Sequence, residues 1–304
     1  MIPERLGMSQ DRQLLEDLVL ARTATERAGH LREDSEALAA HRDRRFLHVG
    51  PRGTRVETDA IIWEVDPCDG NPISFLGVED SVAFFACHHG DDDREDWRDL
   101  RQVGSQLDAR DVGLVVSAVA LDNWRRGHVH CGRCGGVTDD AQAGWARRCG
   151  ACDYVHFPRT DPAVIALVRD SEDRALLGRQ RRWGAGWFST LAGFVEAGET
   201  AEAALVREVR EESGVRIDPA RIQYLGSQPW PFPSSLMLGY HAWTDDPATD
   251  PDGDEIAEVR WFTRQELHDA CETGDVRLPP RVSIARKLIE RWYGEELPSD
   301  WGRG

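Results

Sequence analysis

Two Cys-x-x-Cys pairs near the middle of the chain constrain its folding more than any other feature. Cys131 and Cys134 are followed, after fourteen intervening residues, by Cys149 and Cys152. Four soft thiolates at this spacing suit a tetrahedral Zn²⁺ ion, and a site with four protein ligands has no open position for catalysis. Glycines beside the cysteines permit the tight turns that such pairs need. The spacing therefore predicts a small module held together by structural Zn²⁺.

The remaining cysteines do not form a comparable pattern. Cys68, Cys87 and Cys271 are scattered, and an odd total of seven cysteines with paired spacing favours metal binding over disulfides. His128 and His130 precede the first pair and are alternative zinc ligands, although four available thiols make them unnecessary.

Composition narrows the classes of function. The chain of 304 residues is long enough for two domains of ordinary size. Apolar residues make up 40% of it, which is enough to form a hydrophobic core. No run approaches the roughly 18–20 apolar residues that span a bilayer, and the N-terminus lacks a signal-peptide pattern. We therefore expect a cytoplasmic protein without membrane contact.

The formal charge of −17 disfavours general nucleic-acid binding, because nonspecific affinity depends on cationic contacts with phosphate. A small anionic substrate is compatible with this charge if a bound cation neutralises the site.

Hydrophobic periodicity predicts a mixture of strands and helices. Short runs rich in β-branched and aromatic residues predict strands at Ala60–Val65, Ile73–Val78, Val82–Cys87, Pro162–Arg169, Trp187–Leu191, Ile222–Leu225, Leu236–Trp243 and Ile256–Phe262. Longer periodic runs predict helices at Asp111–Trp124, Thr200–Ser213 and Val282–Tyr293. Strands interrupted by helices indicate a mixed α/β domain after the cysteine pairs. We interpret His88 and His89, which precede three aspartates, as part of a solvated loop.

The helix predicted over Thr200–Ser213 carries the clearest chemical signal. At about 100° per residue, Glu208 and Glu212 share a face with apolar side chains, and Glu211 lies close beside them. Inward-facing carboxylates repel one another and lose solvation, so they need a compensating cation. A hard divalent ion fits oxygen ligands, and Arg207 can orient the carboxylates by charge-assisted hydrogen bonds. The alternative is a glutamate-rich surface helix.

This segment resembles the Nudix box, G-x5-E-x7-R-E-U-x-E-E-x-G-U, in which U is a bulky aliphatic residue. The fixed positions are filled by Gly193, Glu199, Arg207, Glu208, Val209, Glu211, Glu212, Gly214 and Val215. The resemblance implies an α/β/α sandwich with a mixed sheet, preceded by a zinc ribbon and an N-terminal α+β domain. It implies domains at 1–125, 126–157 and 158–293, with a tail at 294–304.

The resemblance also implies a catalytic site that holds Mg²⁺ or Mn²⁺. The implied ligands are Glu208, Glu212 and the backbone carbonyl of Ala192, with Glu211 as a further ligand or as the base that activates water. Glu255 begins a segment that resembles the acidic strand of the family and would complete the metal site. Arg207 would support catalysis by orienting the carboxylates. The sequence does not choose between Glu211 and Glu255 as the general base.

A second resemblance indicates the substrate. Ser227–Ser235 reads SQPWPFPSS and resembles an array typical of NADH pyrophosphatases. Prolines stiffen such a loop, and its aromatic rings can stack on bases; the alternative is a rigid turn packed into the core. Phe157 stands where many members carry tyrosine. The implied substrate-binding residues are Phe157, Phe194, Gln228, Pro229, Trp230, Pro231, Phe232, Pro233, Ser234, Ser235 and Ala285.

The expected reaction is hydrolysis of the phosphoanhydride of NADH or NAD⁺ to AMP and nicotinamide mononucleotide. The resemblance further implies a homodimer and an activity on NAD-capped RNA, although the charge of −17 disfavours extended RNA contacts. Two alternatives stay open at this point. One is a Nudix hydrolase of another dinucleotide or sugar nucleotide, and the other is a nucleotide sensor that binds without hydrolysis. The sequence does not choose between NADH and NAD⁺, or between Mg²⁺ and Mn²⁺.

Overall fold

The computed structural model describes residues 14–65, 70–90, 94–251 and 253–302. These residues form two compact units. One contains the described parts of Met1–Leu18, Pro162–Gln228 and Met237–Gly304, and the other contains Val19–Asp161 and Pro229–Leu236. Within the described ranges, no helix is both long and apolar enough to cross a membrane.

The N-terminal part of the second unit contains a mixed six-stranded sheet with helices. Its elements are β1 (Asp43–Gly50), β2 (Gly53–Glu57), β3 (Ala60–Ile61), β4 (Ile73–Glu79), β5 (Val82–His88), β6 (Trp97–Arg98), α1 (Ser35–Ala40), α2 (Leu100–Val103) and α3 (Ala109–Gly127). The strand order is β3-β2-β1-β5-β4, with β6 beside β2. Strands β1 and β5 are parallel, whereas β4 and β5 form an antiparallel pair. Helix α3 begins where the Asp108 carboxylate accepts the Asp111 amide at 2.8 Å.

The cysteine segment folds as a three-stranded antiparallel sheet in the order β7-β8-β9. Its strands are β7 (Thr138–Ala141), β8 (Ala146–Cys149) and β9 (Val155–His156). The strands are only two to four residues long, so hydrophobic burial within this sheet is small. A metal crosslink is the usual means by which so small a module is stabilised.

The first unit is built on a second six-stranded sheet, in the order β13-β14-β10-β11-β15, with β12 beside β10. Its elements are β10 (Asp161–Arg169), β11 (Ala175–Gln180), β12 (Leu191–Phe194), β13 (Ile222–Trp230), β14 (Ser235–Trp243), β15 (Ile256–Phe262), α4 (Ala201–Ser213), α5 (Arg264–Glu272) and α6 (Ile284–Tyr293). Strand β10 is antiparallel to β11 and to β12. The Asp161 amide donates to the Ser234 carbonyl, and the Thr244 amide to the Arg169 carbonyl. Strands β10 and β14 therefore run in the same direction, and the sheet is mixed.

The side chains of β10 alternate between two hydrophobic cores. Val164, Ala166 and Val168 pack with the apolar face of α4. Ile165 and Leu167 pack on the opposite face of the sheet with residues of α5 and α6. A strand covered on both faces is apolar along its length, which explains the continuous run that predicted it. This arrangement confirms the predicted α/β/α sandwich.

The boundaries of most predicted elements are confirmed to within about three residues, with three clear exceptions. The strand predicted at Ile222–Leu225 is longer than expected and extends to Trp230. The strand at Ile256–Phe262 has the predicted bounds, and the helix ending at Ser213 begins one residue later than predicted. The strand predicted at Trp187–Leu191 is wrong: β12 begins at Leu191, whereas Trp187 and Ser189 form isolated bridges only. The strand predicted at Ala60–Val65 is shortened to Ala60–Ile61, and Glu64 forms a single bridge with Phe46.

Two further expectations need correction. The structure contains a disulfide at Cys87, although the odd number of cysteines favoured metal binding throughout; Cys68 lies outside the described residues. The segment treated as a tail is part of the core of the first unit, because Leu297 and Trp301 are buried there. The buried Arg286 guanidinium donates to the Pro298 carbonyl at 2.6 Å and holds this segment in place.

Candidate active site and zinc centre

Helix α4 presents the glutamates because both of its ends are well defined. Thr200 caps the first turn by accepting the Ala203 amide on its hydroxyl at 3.2 Å. The helix ends at Gly214, which adopts a left-handed conformation with φ of 76°. A side chain at Gly214 would also approach the backbone of Asp250 too closely. Between these ends, Leu205 and Val209 are buried and fix the rotation of the helix.

Arg207 forms ion pairs with acidic side chains of the box. Its guanidinium contacts Glu199 at 2.9 Å, Glu208 at 2.9 Å and Glu211 at 3.0 Å. It also donates to the Phe194 carbonyl at 2.9 Å, which ties the helix to the preceding loop. Hydrogen bonds from Arg207 lower the pKa of Glu199 to about 2. Arg207 therefore orients the carboxylates, as predicted from its position.

Glu208 lies against a glycine that the box requires. A Cβ atom at Gly193 would overlap the Glu208 carboxyl group, so a larger residue would displace this glutamate. Burial, with the negative charges of Glu211 and Glu255, raises the pKa of Glu208 despite the opposing effect of Arg207. Burial is the largest cause of this shift, so the ionised Glu208 carboxylate is incompletely solvated.

Glu212 and Ala192 are joined directly. The buried Glu212 carboxylate accepts the Ala192 backbone amide at 3.1 Å, and Ala192 is held in β12 opposite Ile165 of β10. This contact brings the predicted glutamate and the backbone of the loop before the box together. The role predicted for the Ala192 carbonyl itself stays a prediction.

Glu255 immediately precedes β15, and its carbonyl accepts the Arg181 amide at 3.0 Å. Its effect on the pKa of Glu208 shows that the two charges interact. The carboxylates nevertheless do not form a closed cage. Within the described ranges, only the four cysteines bring three or more metal-ligating atoms within 4.8 Å of one another.

The aromatic loop is well ordered by its own contacts. The rings of Trp230 and Phe232 meet edge to face with centroids 5.0 Å apart, and the Phe232–Pro233 peptide is cis. The Ser234 hydroxyl donates to Asp161 at 2.7 Å. Pro231 is buried, and Pro229 and Ser235 are partly buried. These side chains form a rigid turn with accessible aromatic atoms.

Gln228 lies in β13, and its predicted contact with substrate stays a prediction. Its side chain is fully buried, and its amide nitrogen donates to the Val282 carbonyl at 3.1 Å. Gln228 thus anchors the start of the loop to the segment before α6. Ala285 is also buried, and its backbone amide donates a hydrogen bond to the hydroxyl of Ser283, the N-cap of α6, at 3.2 Å.

The two predicted stacking residues outside the loop are exposed. Phe157 has an exposed fraction of 58%, and Phe194 has 56%. Singly exposed apolar side chains are normal on protein surfaces, so the exposure makes both rings accessible but does not by itself assign them a role. Phe194 belongs to the same unit as the glutamates, whereas Phe157 belongs to the same unit as the aromatic loop.

The zinc centre is formed by the four predicted cysteines. Their sulfur atoms lie within one coordination sphere, with Cys134 at 3.3 Å from Cys152 and at 3.5 Å from Cys149. Hydrogen bonds from the backbone, of which the Ala151 amide gives the largest effect, lower the pKa of Cys149 to about 7. This favours the thiolate that binds zinc. Gly136 is required because a Cβ there would crowd Ala151.

The histidine that approaches the zinc centre is not one that the sequence suggested. His156 Nε2 lies 3.2 Å from the sulfur of Cys131, whereas the His128 ring bonds the Trp124 carbonyl. His156 follows the second pair of cysteines by four residues and enters through the pairing of β8 with β9. The sequence analysis did not predict this pairing, because the two strands are only four and two residues long.

A second polar constellation lies in the N-terminal sheet. His88 contacts the Ser74 hydroxyl at 2.8 Å and the Asp122 carboxylate at 3.0 Å. The arrangement resembles a Ser-His-Asp triad, but all three side chains are buried and Ser74 has no exposed surface. A substrate cannot reach it, so the network is structural. The interpretation of His88 as a loop residue is therefore wrong; Asp91, Asp92 and Asp93 lie outside the described residues.

The sandwich and the filled box on α4 define a hydrolase of the Nudix class. The NUDIX domain family matches residues 159–286, and the NADH pyrophosphatase zinc ribbon domain matches residues 126–157. The protein from Mycobacterium bovis named NAD-capped RNA hydrolase NudC is 41% identical over 93% of this chain and 96% of its own length. The chain belongs to this NudC family of Nudix hydrolases.

The chain is also similar to a human protein and to a solved structure. The human protein named NAD-capped RNA hydrolase NUDT12 is 39% identical over 62% of this chain and 43% of its own length. A Nudix hydrolase structure from Nitrosomonas europaea has 25% identity and a TM-score of 0.43, and covers 55% of this chain and 93% of that chain.

Proposed function

We propose that the chain hydrolyses the pyrophosphate of NADH or NAD⁺ to AMP and the corresponding nicotinamide mononucleotide, and that it also removes NAD caps from RNA. The identity of 41% with a relative named NAD-capped RNA hydrolase supports this substrate class. The observation that carries the reaction type is the acidic cluster of α4, in which Arg207 holds Glu199, Glu208 and Glu211.

The cluster fits a divalent cation, and we assign Mg²⁺ or Mn²⁺ to it. Burial raises the pKa of Glu208, and a bound cation would offset the lost solvation of its carboxylate. The proposed ligands are Glu208, Glu211, Glu212, Glu255 and the Ala192 carbonyl. When bound, the ion would neutralise phosphate charge and lower the pKa of a bound water. The zinc of the ribbon is assigned a structural role only, because its four thiolates leave no open position.

The residues of the chain would then supply orientation and proton transfer. Arg207 keeps the glutamates in position through its planar guanidinium. Glu211 or Glu255 accepts the proton of the attacking water. The water oxygen bonds to one phosphorus while the bond from that phosphorus to the bridging oxygen breaks. The two products are AMP and nicotinamide mononucleotide, and each carries one phosphate.

Substrate binding is assigned to the aromatic loop and to exposed rings. Trp230 and Phe232 offer ring surfaces for stacking, while Gln228 supports the loop from within the core. The remaining proposed contacts are Phe157, Phe194, Pro229, Pro231, Pro233, Ser234, Ser235 and Ala285.

We also propose a homodimer and a cytoplasmic location. Light scattering would determine the number of subunits.

The decisive experiment is incubation of the purified protein with NADH and Mn²⁺, followed by chromatographic resolution of the products. We expect stoichiometric AMP and reduced nicotinamide mononucleotide. RNA with a 5′ NAD cap should be converted to 5′-monophosphate RNA under the same conditions. Tight NADH binding without AMP release would instead indicate a sensor. Faster hydrolysis of another dinucleotide or of a sugar nucleotide would reassign the substrate.

A further inference from the structure

We infer that Asn123 is a positioning residue for substrate recognition, through which the N-terminal domain holds the aromatic loop in its binding conformation. The inference rests on the proposed function and deepens it, since it gives a role in recognition to the N-terminal domain. Its starting point is that Pro229–Leu236 forms one compact unit with Val19–Asp161. The tip of the proposed binding loop is thus part of the same unit as α2 and α3.

The loop needs hydrogen-bond donors from outside because of its composition. Pro229, Pro231 and Pro233 have no backbone N–H, so alternate residues of the loop cannot donate to its carbonyls. The one tight backbone bond at the tip joins the Phe232 amide to the Trp230 carbonyl at 2.7 Å. Carbonyls that lose solvent without a donor are costly.

Asn123 supplies such a donor from α3. Its amide nitrogen donates to the Pro231 carbonyl at 2.7 Å and lies 3.5 Å from the Pro233 carbonyl. One side chain therefore spans both sides of Phe232. The neighbouring Trp124 is buried, and the α3 residues around Asn123 are fixed in the core of the unit. The position of the amide is consequently set by the N-terminal domain.

Arg101 of α2 makes a second contact with the loop. Its guanidinium carbon lies 4.8 Å from the centre of the Phe232 ring, a distance suited to a cation–π interaction. Asp99 holds this guanidinium through two hydrogen bonds of 3.0 and 2.6 Å. The ring that contacts Trp230 is thus supported by a fixed cation. Because Arg101 is exposed, this contact is weaker than the Asn123 bond.

The test is steady-state kinetics of the full-length protein with NADH and Mn²⁺. Asn123→Ala and Asn123→Asp remove the donor, and we expect KM to rise about fivefold, as for one lost hydrogen bond. The value of kcat should stay within about twofold, because the acidic cluster is untouched. Asn123→Gln retains the amide and should recover part of the affinity. Arg101→Ala should raise KM less, and Gln102→Ala, at an exposed position of the same helix, should match the wild type.

Hydrogen–deuterium exchange separates failure of this inference from failure of the proposed function. In Asn123→Ala, the peptide covering 229–236 should exchange faster, while the α4 peptide should be unchanged. If the wild type releases no AMP from NADH, the proposed function fails, and the role of Asn123 in substrate recognition fails with it. If the wild type is active, an unchanged KM overturns the inference, as does a fall in kcat that parallels a general loss of thermal stability.

Discussion

The zinc ribbon and helix α4 each collect four or more potential metal ligands, but the fold prepares them to different degrees. The cysteine sulfurs already lie within 4.8 Å of one another, and backbone amides favour the thiolate form of Cys149. Three glutamates of the box contact one arginine, and burial raises the pKa of Glu208. A site closed by four thiolate ligands therefore serves to stabilise the fold. An open, acidic site stays dependent on a cation that can be exchanged and that can contact substrate.

The largest expected effect is on catalysis at α4. Glu212→Gln should lower kcat more than about 1,000-fold, because a lost ligand removes several kcal/mol of stabilisation that the ion gives the transition state. The fold should persist, since glutamine retains an oxygen to accept the Ala192 amide. AMP release and the melting temperature should be measured together. Glu202→Gln, at an exposed position of the same helix, is the matched control. Near wild-type turnover in Glu212→Gln would refute the assignment of the metal site.

The corresponding change in the ribbon should affect stability. Cys149→Ser should cost about 3 kcal/mol of unfolding free energy through loss of the metal crosslink, and the protein should contain less than one zinc per chain. Activity per folded molecule should change little. Cys271→Ser removes a thiol outside the cluster and should retain the zinc. If folded Cys149→Ser bound NADH normally but did not hydrolyse it, zinc would have a chemical role.

An intermediate effect should follow from altering the residue that orders the glutamates. Arg207→Lys preserves the charge but not the planar fork that contacts Glu199, Glu208 and Glu211. We expect kcat/KM to fall about tenfold, with a higher Mn²⁺ concentration needed for half-maximal rate. Arg210→Lys, at an exposed position on α4, should be silent. Equal losses in both variants would mean that the orientation of the glutamates does not depend on Arg207.

The smallest effect concerns the stability of the metal-free protein. Because the pKa of Glu208 is raised above its ordinary value of 4.5, the folded state binds this proton more tightly than the unfolded state. The stabilisation that protonated Glu208 gives the folded state is complete below pH 4.5. It is lost as the pH rises through the pKa of Glu208 in the folded state. Glu208→Gln should therefore stabilise the metal-free protein at pH 7 by up to about 1 kcal/mol, and should give no gain at low pH. Thermal unfolding in chelator at both pH values checks this. A loss of stability at pH 7 would contradict the assigned cost of burying the ionised Glu208 carboxylate.

Much of the catalytic unit could be predicted because its signals are local. The cap at Thr200, the apolar stripe of α4 and the glycine at its end are all separated by few residues, so one helical period relates them. The spacing of Cys131, Cys134, Cys149 and Cys152 likewise specified the zinc centre without knowledge of the rest of the fold. Strand Ile256–Phe262 had its bounds set by its own β-branched and aromatic residues.

What failed or was missed depends on residues distant in sequence. Strand β12 begins at Leu191 because it pairs with β10, and periodicity within Trp187–Leu191 carries no information about that pairing. His88 is buried because Ser74 and Asp122 come from other elements to satisfy its ring. The adjacent aspartates in sequence suggested a solvated loop instead.

The sequence by itself determined the metal chemistry of this protein, because ligand type and short-range spacing are sufficient to select thiolates for zinc and carboxylates for a hard divalent ion. Only the tertiary structure decided which of these side chains are buried, which are linked by Arg207, and how the loop is supported. The burial of Gln228 and the contact of Asn123 with Pro231 join segments more than 50 and 100 residues apart. Such contacts form because the closed fold must satisfy its buried polar groups, and no local pattern records them.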